Sequence, residues 1–310
     1  MSIEKQPIGI GLPVELEIGA GLWMHFSAHG TAADAEGLDT LLAQANFYFP
    51  EHPTSEEEPK KLLNRIVRGD YRALQRYSQV YAGSENFYAH SAEVLYKRPL
   101  KPKLEVAFVD VPRTSFWLPK MVEVQKLYKQ FTTSRQGVDA TLELHKNDLY
   151  TIAASQQARE EVIADNLAKS VPMIQENNPT ATLLMPIGSM HTALLTRLAD
   201  RGIMAQSTRQ PRTIPVDSFN MYIQKRMTGK EVERDELLHG FFHSLIFMAL
   251  PGTSTEVRIV ESAQLTDTIS NNDKAAILEE AIQWRHNTKT NPGAKMDQKV
   301  LSLTQALDRA

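Results

Sequence analysis

Four apolar stretches of this chain each lead into an ionisable residue. Leu22 to Phe26 is followed by Ser27-Ala28-His29-Gly30-Thr31, and Phe47 to Phe49 by Pro50-Glu51-His52. Leu104 to Val111 carries Asp110 at its end and runs into Pro112-Arg113, and Thr182 to Ile187 is followed by Gly188-Ser189-Met190-His191. Histidine beside carboxylate is acid–base chemistry. A neutral imidazole takes a proton from water or ligates a metal. His29, Glu51 and His191 are therefore candidate catalytic residues, with His29 activating water, Glu51 orienting it or sharing its proton, and His191 acting as a second base or ligand. Gly30 lets backbone approach a ligand closely. A helix starting at Thr31 would aim free N–H groups at the same place. Arg159 completes the catalytic set. It opens Arg159-Glu160-Glu161, at the start of a helical pattern running to Leu167, and would clamp a carboxylate, a phosphate or a developing oxyanion. Gly30, Asp110, Arg113 and Glu160 are the candidate substrate contacts. His29 and His191 are also a candidate metal pair, with a divalent ion and a carboxylate completing the ligands.

His191 reads as the beginning of the helix bearing Leu194, Leu195 and Leu198, where the positive dipole end would favour a neutral ring. His239 and His243 stand four apart, which puts both on one helical face at metal-ligand spacing. Gly240-Phe241-Phe242 lies between them in place of a glutamate, and His243 reads as near a strand running to Leu250. Neither G-x-S-x-G, a P-loop, G-x-G-x-x-G nor H-E-x-x-H occurs, which disfavours a serine hydrolase, a P-loop NTPase and a Rossmann dehydrogenase.

The elements that would position these residues alternate in period. The apolar runs, including Leu245 to Leu250, suit buried parallel strands. Between them lie helical faces: Leu38, Leu41, Leu42 and Ala45; Leu62, Leu63, Ile66 and Val67; Met121, Val124, Leu127 and Tyr128; Val162, Ile163, Asn166 and Leu167. Thr31 with Asp34 resembles a helix cap. The expected class is α/β, with a mainly parallel central sheet flanked by helices and a helical insertion or cap. The expected division is an α/β domain over residues 1–270, with residues 56–103 as the insertion, and a C-terminal helical segment and tail over 271–310. In such a sheet the strand carboxyl ends share one edge, where ligands bind. Four segments thus deliver ionisable groups to one neighbourhood.

Composition narrows the function. The chain has 310 residues, 42% hydrophobic, with a net charge of −3 and no cysteine. The charge and the lack of a basic tract give no reason to expect nucleic acid. Zero cysteines exclude disulfides, thiol nucleophiles and thiolate metal sites, and suit a reducing, cytoplasmic setting. Glu4, Lys5 and Glu15 interrupt the start, so no signal peptide is expected, and no apolar run is long enough to span a membrane.

Phe26-Ser27-Ala28-His29-Gly30-Thr31, followed by a helix and Phe49-Pro50-Glu51, resembles the opening of the erythromycin esterase-like, TraB/Tiki and ChaN-like superfamily. Asp110 is similar to that superfamily's acid at a later strand end. Ala158 to Leu167 resembles its arginine–acid helix, and Gly188-Ser189-Met190-His191 its second G-x-x-H element. The order matches along roughly residues 14 to 260. The chain has His25-Phe26 where the esterases carry Gly-Glu, and Phe26 where the TraB-like members carry glycine. The resemblance implies a parallel α/β core with a histidine-lined cleft. Its members include esterases with histidine-activated water, metal-dependent proteases and haem-binding proteins.

The leading expectation is a hydrolase acting on an ester, amide or related acyl compound, with a small-molecule substrate. A haem, tetrapyrrole or other planar-ligand protein is the alternative, motivated by Tyr71, Tyr77, Tyr81, Phe87, Tyr88 and Tyr96 in one helical segment. A catalytically degenerate interaction module is a third reading, to which Phe26 lends credit.

Overall fold

The computed structural model describes residues 18–27, 37–51, 57–80, 87–98, 103–111, 137–209, 218–249 and 255–279. Five strands, β1 (Gly21–Ser27), β2 (Phe47–Tyr48), β3 (Glu105–Val106), β4 (Thr182–Gly188) and β5 (Ala205–Arg209), form a parallel sheet in the order β3-β2-β4-β1-β5. β4 pairs along its whole length with β1, Gly21 opposite Thr182 and Ser27 opposite Gly188. It is buried on both faces, which explains its unbroken apolar run.

Side chains alternate across this sheet and so feed two cores. Met24, Phe26, Leu183, Met185 and Ile187 face one side. There they meet Ile163, Ala164, Leu167 and Val171 of α5 (Val138–Asn177) and Leu194 and Leu198 of α6 (Leu194–Asp200). Tyr48 and Leu184 face the other side. There they meet α1 (Leu38–Gln44), α2 (Glu57–Ile66), α3 (Tyr71–Val80) and α4 (Phe87–Lys97) through Leu42, Leu63, Ile66, Tyr77 and Leu95. The fold is thus α/β with helices on both faces. α2, α3 and α4, which fall within the helical segment expected at 56–103, pack on one face of the sheet.

A third core lies apart from the sheet. The N-terminal half of α5 contributes Leu142, Leu149 and Ala153. Ile223 of α7 (Ser218–Met227), Leu238, Phe242 and Ile246 of α8 (Arg234–Ala249), and Ile277 and Leu278 from the helical residues 271–279 close around them. α9 (Thr255–Thr268) packs on α8. α5 therefore joins the sheet to a helical module.

Three expectations are corrected. Residues 245–249 are helical, part of α8, where Ile246 is buried beside Phe242. A short apolar run buried on all sides reads alike in helix and strand, and length and flanks misled here. β5, Ala-Gln-Ser-Thr-Arg, was not expected. As an edge strand it needs little apolar character, and Gln206, Ser207 and Arg209 are exposed. Arg159 stands in the interior of the 40-residue α5, not at a helix start. Met121 to Tyr128, the Thr31–Asp34 cap and everything from residue 280 onward lie outside the described residues. Among the described residues no helix is long and apolar enough to cross a membrane.

Candidate functional site

The carboxyl edge of β2, β3 and β4 delivers three groups to one point. Glu51 follows β2, Asp110 follows β3, and His191 ends a short 3₁₀ turn, Ser189–His191, directly after β4. α5 brings Arg159 and Glu160 against them. All five are buried, Glu160 completely and His191 to 1% residual exposure. His29, Gly30 and Arg113 lie outside the described residues. β1, from whose end His29 departs, stops level with β4, since Ser27 pairs with Gly188.

Arg159 is the hub. Its Nε donates to Asp110 Oδ1 at 2.9 Å, and Nη2 donates to Asp110 Oδ2, a two-pronged contact. Nη2 also pairs with Glu51 Oε1 at 3.0 Å. Nη1 donates to Gln156 Oε1 at 3.5 Å and to His191 Nε2 at 3.4 Å. A guanidinium has five N–H groups, and among the described residues at least five acceptor atoms surround it. An incoming oxyanion would reach Arg159 only by displacing Glu51, Gln156 or His191. Burial alone would make the guanidinium easier to deprotonate. The charges of Asp110 and Glu51 reverse that and hold it more firmly protonated than usual.

His191 has a fixed ring. Nδ1 lies 3.1 Å from Glu160 Oε1, an atom that only accepts while the group is a carboxylate. Nδ1 therefore carries the proton. Nε2 is left as the lone-pair nitrogen, consistent with the Arg159 N–H facing it. Glu51 Oε1 is 3.7 Å from Nε2, and Glu51 Oε2 accepts the Gly188 backbone N–H at 2.6 Å. The result is an imidazole tethered at Nδ1 by Glu160, with its Nε2 lone pair facing the Arg159 N–H; it becomes a positioned general base when a substrate water takes the place of that N–H.

Asp110 is fixed in turn by the Val111 N–H at 2.7 Å, and its strand end by Asn166 Nδ2 donating to the Val109 carbonyl at 2.8 Å. Gln224 of α7 donates to Thr192 Oγ1 at 2.9 Å and ties the helical module to the segment after His191.

Three residues of this site were not singled out for a role there by sequence reasoning. Arg197 of α6 donates from Nε to Glu160 Oε2 at 3.0 Å. Tyr88 of α4 has a phenol pushed above its ordinary range, first by burial and then by the negative charge of Glu51. Ser27, at the end of β1, has a buried hydroxyl with no hydrogen-bond partner among the described residues. Arg197 carried one usable signal: its spacing from His191 puts it on the next helix, within reach of an acid on α5.

The described residues do not fit a divalent ion at His191. Metal–nitrogen bonds are about 2.0–2.1 Å long, and the space before Nε2 already holds a cationic guanidinium 3.4 Å away. No group of three or more His, Asp or Glu suited to a metal occurs among the described residues. His239 and His243 share α8 but have separate partners. His243 Nε2 meets Ser262 Oγ at 2.8 Å, whereas His239 lies 3.6 Å from Asp267 and 3.4 Å from Lys274. Of the aromatic residues, Tyr77 is core, Tyr71 and Tyr96 stack on each other with ring centres 5.8 Å apart, and Tyr81 is outside the described residues.

No family model, curated protein or solved structure matches this chain.

Proposed function

We propose that the protein is a hydrolase of ester, amide or related acyl substrates in which His191 is the general base. The observation that carries this reading is the tether of His191 Nδ1 to the buried Glu160 at 3.1 Å, which fixes the tautomer and leaves Nε2 as the accepting nitrogen. A water that displaces the Arg159 N–H from Nε2 gives up a proton there, and its oxygen adds to the acyl carbon. The proton then passes to the leaving oxygen or nitrogen. Base assistance of this kind is worth roughly 10²–10⁴-fold. Negative charge developing on the acyl oxygen is stabilised by Arg159 when the oxyanion takes the place of Glu51 or Gln156 on the guanidinium, while Asp110 keeps its two-pronged hold.

His29, two residues beyond Ser27 in the sequence, takes the second-histidine role in this proposal. The resemblance to the erythromycin esterase-like, TraB/Tiki and ChaN-like superfamily supports the reading. The motif residues Glu51, Asp110, Arg159 and His191, scattered over about 140 positions, meet at one sheet edge. The histidine-activated-water version fits better than a metal-bound water, for the reason given by Arg159. Zero cysteines accord with a cytoplasmic setting.

The test is a panel of nitrophenyl esters and acyl anilides of varied acyl length, run on the wild-type protein, Glu160→Gln and His29→Ala. We expect turnover by wild type and a loss of at least about 100-fold in Glu160→Gln and in His29→Ala. A folded wild-type protein that hydrolyses no member of the panel contradicts the proposal.

A further inference from the structure

Glu160 must satisfy a demanding condition. It is a completely buried carboxylate, and a buried charge persists only where it is compensated. His191 supplies a hydrogen bond to one oxygen, and the other oxygen takes the Nε–H of Arg197 at 3.0 Å. Arg197 stands on α6, the helix that follows His191, so both donors come from one continuous segment and grip one side chain of α5. Its side chain is 20% exposed, making it the outward end of a chain that runs Arg197, Glu160, His191, Arg159.

We infer that Arg197 is a positioning residue that sets the tautomer of His191 through Glu160. The inference rests on His191 being the base of the proposed hydrolysis, but the tautomer is a property of the folded protein without substrate. With Arg197 present, Glu160 is charge-compensated and accepts from Nδ1. Without it, the only compensation left to Glu160 among the described residues is the imidazole itself. The ring then loses its single arrangement: either proton placement becomes mixed or Glu160 turns outward and releases Nδ1.

A simpler role would be to bolt α6 to α5. Arg201 provides the control for that role. Arg201 pairs with Glu161 at 2.6 Å and with Asp165 at 2.7 Å, joining the same two helices, yet does not touch Glu160. Arg197 also pairs with Glu161, so the two arginines share the bolting role; Arg197 adds a contact to Glu160, and Arg201 adds one to Asp165.

The experiment is a long-range proton–nitrogen correlation spectrum of the imidazole of His191, recorded on wild type, Arg197→Ala, Arg197→Lys and Arg201→Ala, each with a thermal melt. Wild type and Arg201→Ala should show a protonated Nδ1 and an unprotonated Nε2, even where the melt of Arg201→Ala falls. Arg197→Ala should lose that pattern, and Arg197→Lys should recover it in large part because the charge returns. If Arg197→Ala does not fold, Arg197→Gln, which keeps a donor and removes the charge, takes its place, and it should lose the pattern that Arg201→Ala keeps. Arg197→Ala with the wild-type pattern, or Arg201→Ala disturbing His191 as much as the Arg197 variants do, overturns the inference. Failure of the hydrolysis panel with the spectra as expected would instead sink the catalytic reading and leave the relay standing.

Discussion

Arg159 grips Asp110 with two side-chain hydrogen bonds across 49 residues of sequence, and both groups are buried. The pair joins the long helix α5 to the end of β3 and sets the floor of the candidate site. An ammonium cannot reproduce a planar fork. Arg159→Lys should therefore leave Asp110, Glu51 and His191 short of donors and destabilise the protein by about 3 kcal/mol, near the cost of breaking a buried pair. Chemical denaturation of both proteins checks this. A melt unchanged in Arg159→Lys would mean that the cluster is far more hydrated than its burial implies.

Gly240 of α8 stands where α7 crosses it. A Cβ there would lie 2.9 Å from the Cδ2 and Cε2 atoms of Tyr222, closer than side chains tolerate. Gly240→Ala should cost about 1–3 kcal/mol through overpacking, despite the better helix propensity of alanine. A double variant, Gly240→Ala with Tyr222→Leu, should recover part of that loss. A single variant as stable as wild type would show that the two helices have room to separate.

Acid should weaken the helical module before the sheet. His145, packed edge-on against Phe241 with ring centres 5.1 Å apart, has its pKa pushed down to about 4 by burial. The unfolded chain, with a histidine pKa near 6.5, takes up the proton first as pH falls. The stabilising contribution is present above about pH 6.5 and is lost between there and about pH 4, amounting to about 3 kcal/mol. His239 shifts in the same direction, through burial and then the charge of Lys274. His145→Leu should flatten the loss of stability over that range. Parallel pH dependences in wild type and variant would assign the acid sensitivity elsewhere.

Much of this architecture is legible in the chain because burial leaves periodic traces. β1 and β4 are apolar runs, and the logic of parallel strand ends leads straight to Glu51, Asp110 and His191, which the structure brings together with Arg159 and Glu160. β5 left no trace, because an edge strand with exposed Gln206 and Ser207 has no apolar period. The run at 245–249 misled because a helix buried among Phe241, Phe242 and Ile246 is as apolar as an inner strand. Arg197 is hard to single out for a different reason, its spacing from His191 being the one hint. Its partner Glu160 is 37 residues away, and an arginine on a helix beside acids looks like any solvated face.

The central claim is that the lone pair of His191 Nε2 does the chemistry. Asparagine at this position keeps an N–H donor toward Glu160 and removes the base. The decisive measurement is kcat/KM of His191→Asn beside wild type on the best substrate of the acyl panel, with both proteins shown to be folded. The account predicts a fall of at least about 100-fold, near 3 kcal/mol of transition-state stabilisation, with a melting temperature close to wild type. Undiminished turnover by a folded His191→Asn protein would contradict it.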